Sequence, residues 1–142
     1  MTISHRIGRA FLTGAAMLAA LPAADAFAEG LALELNKLEA IDQGCRVYMV
    51  ITNDTGSGLD SFQLDLVSFD STGIIGERLA IELAPLAASK TSVKLFDMTS
   101  ACDALSSVLV NEVLACTSAG QPVEGCANGI TLSSKAPAEL RK

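Results

Sequence analysis

Residues 45–69 read CRVYMVITNDTGSGLDSFQLDLVSF, and this stretch decides the fold class. Val47, Met49 and Ile51 alternate with Arg46, Tyr48 and Val50. Phe62, Leu64 and Leu66 then alternate with Gln63, Asp65 and Val67. A period of two is the signature of a half-buried β-strand, because successive side chains leave a strand on opposite faces. Between the two runs, Asn53 to Gly58 is rich in residues that bend the backbone by side-chain bonds or positive φ. Two strands joined by a loop are the reading of this stretch.

The same alternation recurs outward from it. Leu31, Leu33 and Leu35 alternate with Ala32, Glu34 and Asn36, while Leu79, Ile81 and Leu83 flank Ala80 and Glu82. Val93 and Leu95 face away from Lys94 and Phe96, and Ile130 and Leu132 open a last run. Breaks at 42–44, 70–73 and 85–90 separate the runs. The segment 105–116 also fits helical spacing at Leu105, Val108, Leu109, Val113 and Cys116. Its valines favour a strand from about Val108, preceded by a short helical turn near Ser100. The pattern predicts an all-β sandwich or barrel of about seven successive antiparallel strands: 31–39, 45–52, 61–69, 74–83, 91–97, 108–116 and 128–134. The domain is expected over 29–134, and 135–142 is expected to be a flexible tail.

Ahead of the strands, Arg6 and Arg9 precede an apolar run from Ala10 to Leu21, and Ala26-Phe27-Ala28 follows. This is the layout of an export signal over 1–28, with Ala26 and Ala28 at the cleavage site and Glu29 as the first mature residue. Gly8-Arg9-Ala10-Phe11-Leu12 resembles the core of a twin-arginine signal, but glycine occupies the place of the first arginine. The general secretory route and a periplasmic destination are the expectation. The remaining 114 residues suit one domain. Losing Arg6, Arg9 and Asp25 with the signal leaves 8 basic and 15 acidic side chains, a net charge of −7. No Lys/Arg cluster remains to track phosphates, so nucleic acid is not an expected partner. No later segment approaches membrane-spanning length.

Cys45, Cys102, Cys116 and Cys126 form an even set in an exported chain, which reads as two disulfides. Three pairings are open by spacing. Strand directions bring Cys45 and Cys102 to one end of the sandwich and Cys116 and Cys126 to the other. That layout selects Cys45–Cys102 and Cys116–Cys126.

Val50-Ile51-Thr52-Asn53, Gly56, Leu59, Phe62 to Asp70, Gly73 and the 83–90 stretch resemble small exported bacterial immunoglobulin-like domains of the FxLYD kind. The resemblance spans about 31–96 and implies an immunoglobulin-like antiparallel β-sandwich, with no catalytic residue to transfer. Residues 102–126 depart from it. They look more like a signal-sequence-bearing family of exported proteins without an established activity.

The chemistry in the chain is sparse. His5, the sole histidine, leaves with the signal, which removes His-dependent triads. Ser89, Lys90 and Ser92 leave a Ser/Lys hydrolase formally open, and Asp65, Asp70, Glu77 and Glu82 a carboxylate one. Those four carboxylates read as solvent-facing. The 53–60 loop lacks the alternating acids and final Glu of a calcium loop and reads as a hairpin. Met49 and Met98 read as core filling, as do Phe62, Phe69 and Phe96. No catalytic, cofactor-binding or metal-binding residue is assigned. The expectation is a non-catalytic binding module of the cell envelope that meets an envelope protein through a sheet edge or loops. A periplasmic metal-binding or stress protein is the alternative, and a hydrolase a more remote one.

Overall fold

In the computed structural model, residues 30–142 are described. The expected signal and its cleavage site at Ala26, Ala28 and Glu29 lie outside the described residues. Among the described residues nine strands run in order: β1 (Leu31–Ile41), β2 (Gly44–Asn53), β3 (Ser61–Phe69), β4 (Ile75–Glu82), β5 (Lys90–Met98), β6 (Ser107–Ser118), β7 (Gln121–Pro122), β8 (Ile130–Ser134) and β9 (Glu139–Arg141). One 3₁₀ turn, Cys102–Ala104, precedes β6. The ambiguous 105–116 segment is therefore strand from Ser107 onward.

Two sheets pack face to face. The first has the order β5-β2-β1-β8, and the second β4-β3-β6, with β7 and β9 sharing the far side of β6. The immunoglobulin arrangement divides its first, second and fifth strands from its third and sixth in the same way. The fourth strand here lies with the third, not with the fifth.

The inner faces carry the alternating apolar residues. Leu31, Leu33 and Leu35 of β1 meet Val47, Met49 and Ile51 of β2 in one layer, and Phe62, Leu64 and Leu66 of β3 with Val108 and Val110 of β6 form the other. Met98 closes the core at one end, so both Met49 and Met98 fill it. Turns are fixed locally. Gly44 follows the two-residue β1–β2 turn at φ 135°, and a Cβ there would lie 1.9 Å from the Met98 carbonyl oxygen. Only glycine permits that approach. Asn53 is fully buried; its amide donates to the Ser57 carbonyl at 2.8 Å and the Leu86 carbonyl at 3.2 Å. Its side-chain oxygen accepts from the Thr55 hydroxyl and amide. The 53–60 loop is thus held by the strand that feeds it.

Cys45 is bonded to Cys102 and Cys116 to Cys126, with no free cysteine among the described residues. The first bridge ties β2 of one sheet to the turn entering β6 of the other. The second ties β6 to the loop leading back to β8. Each bridge therefore ties a strand of one layer to the connection that leads into a strand of the other.

Two expectations are corrected. The sheets are mixed, not purely antiparallel: β8 runs parallel to β1, and β9 parallel to β6. The chain crosses between layers after β7 and again after β8, and each return enters beside a strand running its own way. Nor is 135–142 a loose tail. Ala138 and Leu140 are buried, Ser134 Oγ bonds to the Ala138 carbonyl at 2.6 Å, and the Glu139 amide donates to the Ser106 carbonyl at 3.0 Å. Two apolar residues and a strand's worth of backbone bonds outweigh the missing periodicity of so short a segment.

Candidate interaction surface

β5 is the edge of the first sheet, paired only with β2. Its register runs from Cys45↔Met98 to Asn53↔Lys90 without a bulge. In an antiparallel edge strand, alternate residues turn their N–H and C=O away from the partner. Along β5 these groups meet no other strand among the described residues. The edge is nine residues long and regular, which is the form most able to accept another strand.

The side chains on the outward face of this edge are organised. Val93 lies opposite Val50 and Leu95 opposite Tyr48, and both β5 residues are half exposed, at 57% and 50%. At one end of this apolar centre Arg46 grips Asp97 through Nε at 2.8 Å and Nη2 at 2.9 Å. At the other, the Thr52 and Thr91 hydroxyls meet at 2.9 Å. On the β1 side, Tyr48 donates to Glu39 Oε2, and Lys37 sits 5.0 Å from the Tyr48 ring centroid. The Tyr48 hydrogen bond, aided by Lys37, holds the Glu39 carboxyl below its ordinary range; the Arg46 bonds do the same for Asp97. An apolar centre ringed by satisfied polar pairs is the anatomy of a recognition patch.

β4, the edge of the second sheet, lies along the same flank. Glu77 Oε2 accepts from the Thr99 amide at 2.9 Å, and Lys94 Nζ donates to the Pro85 carbonyl at 3.0 Å. Ile74, Ile75, Val93, Leu95 and Leu114 are the large apolar side chains left exposed among the described residues. Four of these five border the β4–β5 flank.

The outer face of the second sheet is built differently. Asp65, expected to face solvent, is only 4% exposed. Arg78 Nε and Nη2 reach its two oxygens at 2.9 and 2.8 Å, and Asn111 Nδ2 donates at 2.6 Å. The register of β3 against β6 shifts between Asp65 and Leu66, leaving Asn111 as an extra residue in β6. Such a bulge re-aims a side chain, here toward the carboxylate. The Arg78 bonds first, then Asn111, hold the Asp65 carboxyl below its ordinary range. Phe69, expected in the core, faces outward as well, half buried beneath the Arg141 guanidinium at 4.8 Å from its ring centroid. The other carboxylates serve turns or strand ends. Asp70 caps the β3–β4 turn through the Thr72 and Ile74 amides, and Glu82 takes the Phe62 and Ala84 amides. None of Asp65, Asp70, Glu77 and Glu82 hydrogen-bonds to another of the four.

A concavity of about 480 Å³ lies against β6 where β7 and β9 leave it uncovered, lined by Val110, Asn111, Glu112, Val113, Ala127 and Asn128. Bulges at Asn111 and Leu114 break the regular presentation of backbone groups along that stretch. Among the described residues, no group of three or more His, Cys, Asp or Glu side chains is placed to hold a metal ion. No helix among them is long and apolar enough to cross a membrane.

Comparison of the chain with protein-family models, with curated proteins and with solved structures finds no match. Sequence periodicity had revealed the two faces of β5 without saying which looks outward. The exposure of Val93 and Leu95 answers that question, against the sign of the polar Ser92 and Lys94 beside them, which share the inward side with Phe96.

Proposed function

We propose that the chain is an exported, non-catalytic binding module of the bacterial cell envelope, acting in the periplasm. It docks an envelope component on the open β5 edge and the apolar patch beside it. The observation that carries this reading is the unbulged nine-residue edge with Val93 and Leu95 exposed along it. Strand addition to such an edge gives affinity through main-chain bonds and specificity through alternate side chains. Two disulfides support an oxidising compartment, where such bonds persist.

The test is photo-crosslinking in cells exporting the protein, with the reactive group introduced at Leu95 and, for contrast, at the exposed Glu124 in the loop between β7 and β8. One discrete adduct with an envelope protein from Leu95, absent from Glu124, is expected. No adduct from either position, or an equal smear from both, would sink the reading. N-terminal sequencing of the isolated protein should begin at Glu29; an intact Met1 in the cytoplasm would remove the compartment.

A further inference from the structure

Unpaired positive charge marks the β5 edge. The described residues carry eight cations. Lys37, Arg46, Arg78 and Lys135 are each paired with a carboxylate: Glu39, Asp97, Asp65 and Glu34 in turn. Among the described residues, Lys90, Lys94, Arg141 and Lys142 have no carboxylate partner. Two of these four share the open edge. In a chain of net charge −6, with acids to spare, that placement leaves positive charge where the backbone is also unpartnered.

Lys90 and Lys94 are four residues apart on one strand, so they project to the same face about 13 Å apart. It is the face opposite Val93 and Leu95. Lys94 reaches the Pro85 carbonyl, so its ammonium lies in the seam between β5 and the loop that leaves β4. A strand added beside β5 would place its own inward side chains in this seam. Directly opposite residues in a sheet bring their Cβ atoms to about 4.5–5.5 Å, close enough for charge to decide the pairing. A second copy of β5 is a poor occupant: centred on Lys94, two-fold pairing sets ammonium against ammonium, and other registers leave both lysines without a carboxylate.

We infer that the β5 edge selects an extended partner segment with carboxylates four residues apart and apolar residues alternating between them. The acids oppose Lys94 and Lys90 in the seam, while the apolar residues continue the Val93–Leu95 face across the new strand. This inference rests on the binding-module reading and adds the chemistry of the partner. The lysines also explain how a regular edge avoids indiscriminate pairing, since a strand lacking the acids would bury them uncompensated.

The test uses the isolated protein with both disulfides intact, isotope-labelled for amide NMR. It is titrated with a capped peptide containing Glu-Val-Thr-Val-Glu, and separately with the same peptide carrying Lys for Glu. The Glu peptide is expected to shift the amides of 90–98 and to bind at least about tenfold more tightly than the Lys peptide. K90E/K94E, checked for an unchanged melting transition and amide spectrum, is expected to reverse that preference. Should the double variant fail to fold, K94Q alone is expected to lessen the preference for Glu. Equal binding of both peptides, shifts confined to β6, no shift at millimolar peptide, or dimerisation through 90–98 without peptide would each overturn the inference. An in-cell adduct from Leu95 together with any of those results would overturn the acidic-strand rule and leave the binding module standing.

Discussion

The two sheets bury alike and expose differently. Each turns an alternating apolar face inward, yet the outer face of β3 and β6 is roofed by polar side chains while that of β2 and β5 is left apolar at its centre. Val67, which points outward from β3, is nevertheless buried beneath its neighbours. Leu95, in the equivalent situation on β5, is half exposed. The difference lies in position within the sheet. Val67 belongs to a central strand with Arg78 opposite on one side and Leu109 on the other, whereas β5 has a neighbour on one side only. An outward apolar residue is a structural component in the first setting and available surface in the second.

The comparison breaks most severely if the layers come apart. Replacing Cys45 and Cys102 by alanine opens the longer disulfide loop and is expected to cost about 4 kcal/mol, against about 3 kcal/mol for Cys116 and Cys126. Denaturant unfolding of the two double variants measures the order; a larger loss from the shorter loop would mean that native strain governs the first bridge. Val67→Ala is expected to cost about 1–2 kcal/mol despite its outward direction, because it removes packed methyl groups. A neutral result there would show that the polar roof is loose and the contrast between the sheets illusory.

The ionic part of the roof is sharpened by pH. The Asp65 carboxyl titrates below its ordinary value in the fold, so its stabilisation is complete above about pH 4 and is lost as pH falls through the folded value. Asp65→Asn should therefore be less stable than the parent near neutrality, with the two acid-unfolding curves converging at low pH. Curves that stay parallel would assign the stabilisation to packing. The smallest effect belongs to the open face: Leu95→Ser should change stability by no more than about 0.5 kcal/mol while weakening the proposed docking. A large loss of stability would show that Leu95 supports the fold and would withdraw it from the docking patch.

Much of this molecule was legible along the chain. The alternation in β1, β2 and β3 marked the inner faces because burial on one side of a strand leaves a period of two. Turns were legible at Asn53 to Gly58 and Asp70 to Gly73, where side-chain bonding and positive φ are properties of single residues. Asp65 was misread because a lone acid in an alternating strand is identical in sequence whether it meets water or an arginine thirteen positions away. β9 was missed because three residues are too few to display a period, and its partner β6 lies some thirty residues upstream.

By itself, then, the sequence determined an all-β chain with its strands near their observed places, since strand formation follows local periodicity and turn chemistry. Only the tertiary structure decided that β8 and β9 run parallel to their neighbours, that Asp65 is buried by Arg78 and a bulged Asn111, and that β5 stands at an edge. Those outcomes depend on which strands lie side by side, a matter of long-range pairing that no local window contains. The exposure of Val93 and Leu95 follows from that neighbourhood alone: the same residues in a central strand would have been covered.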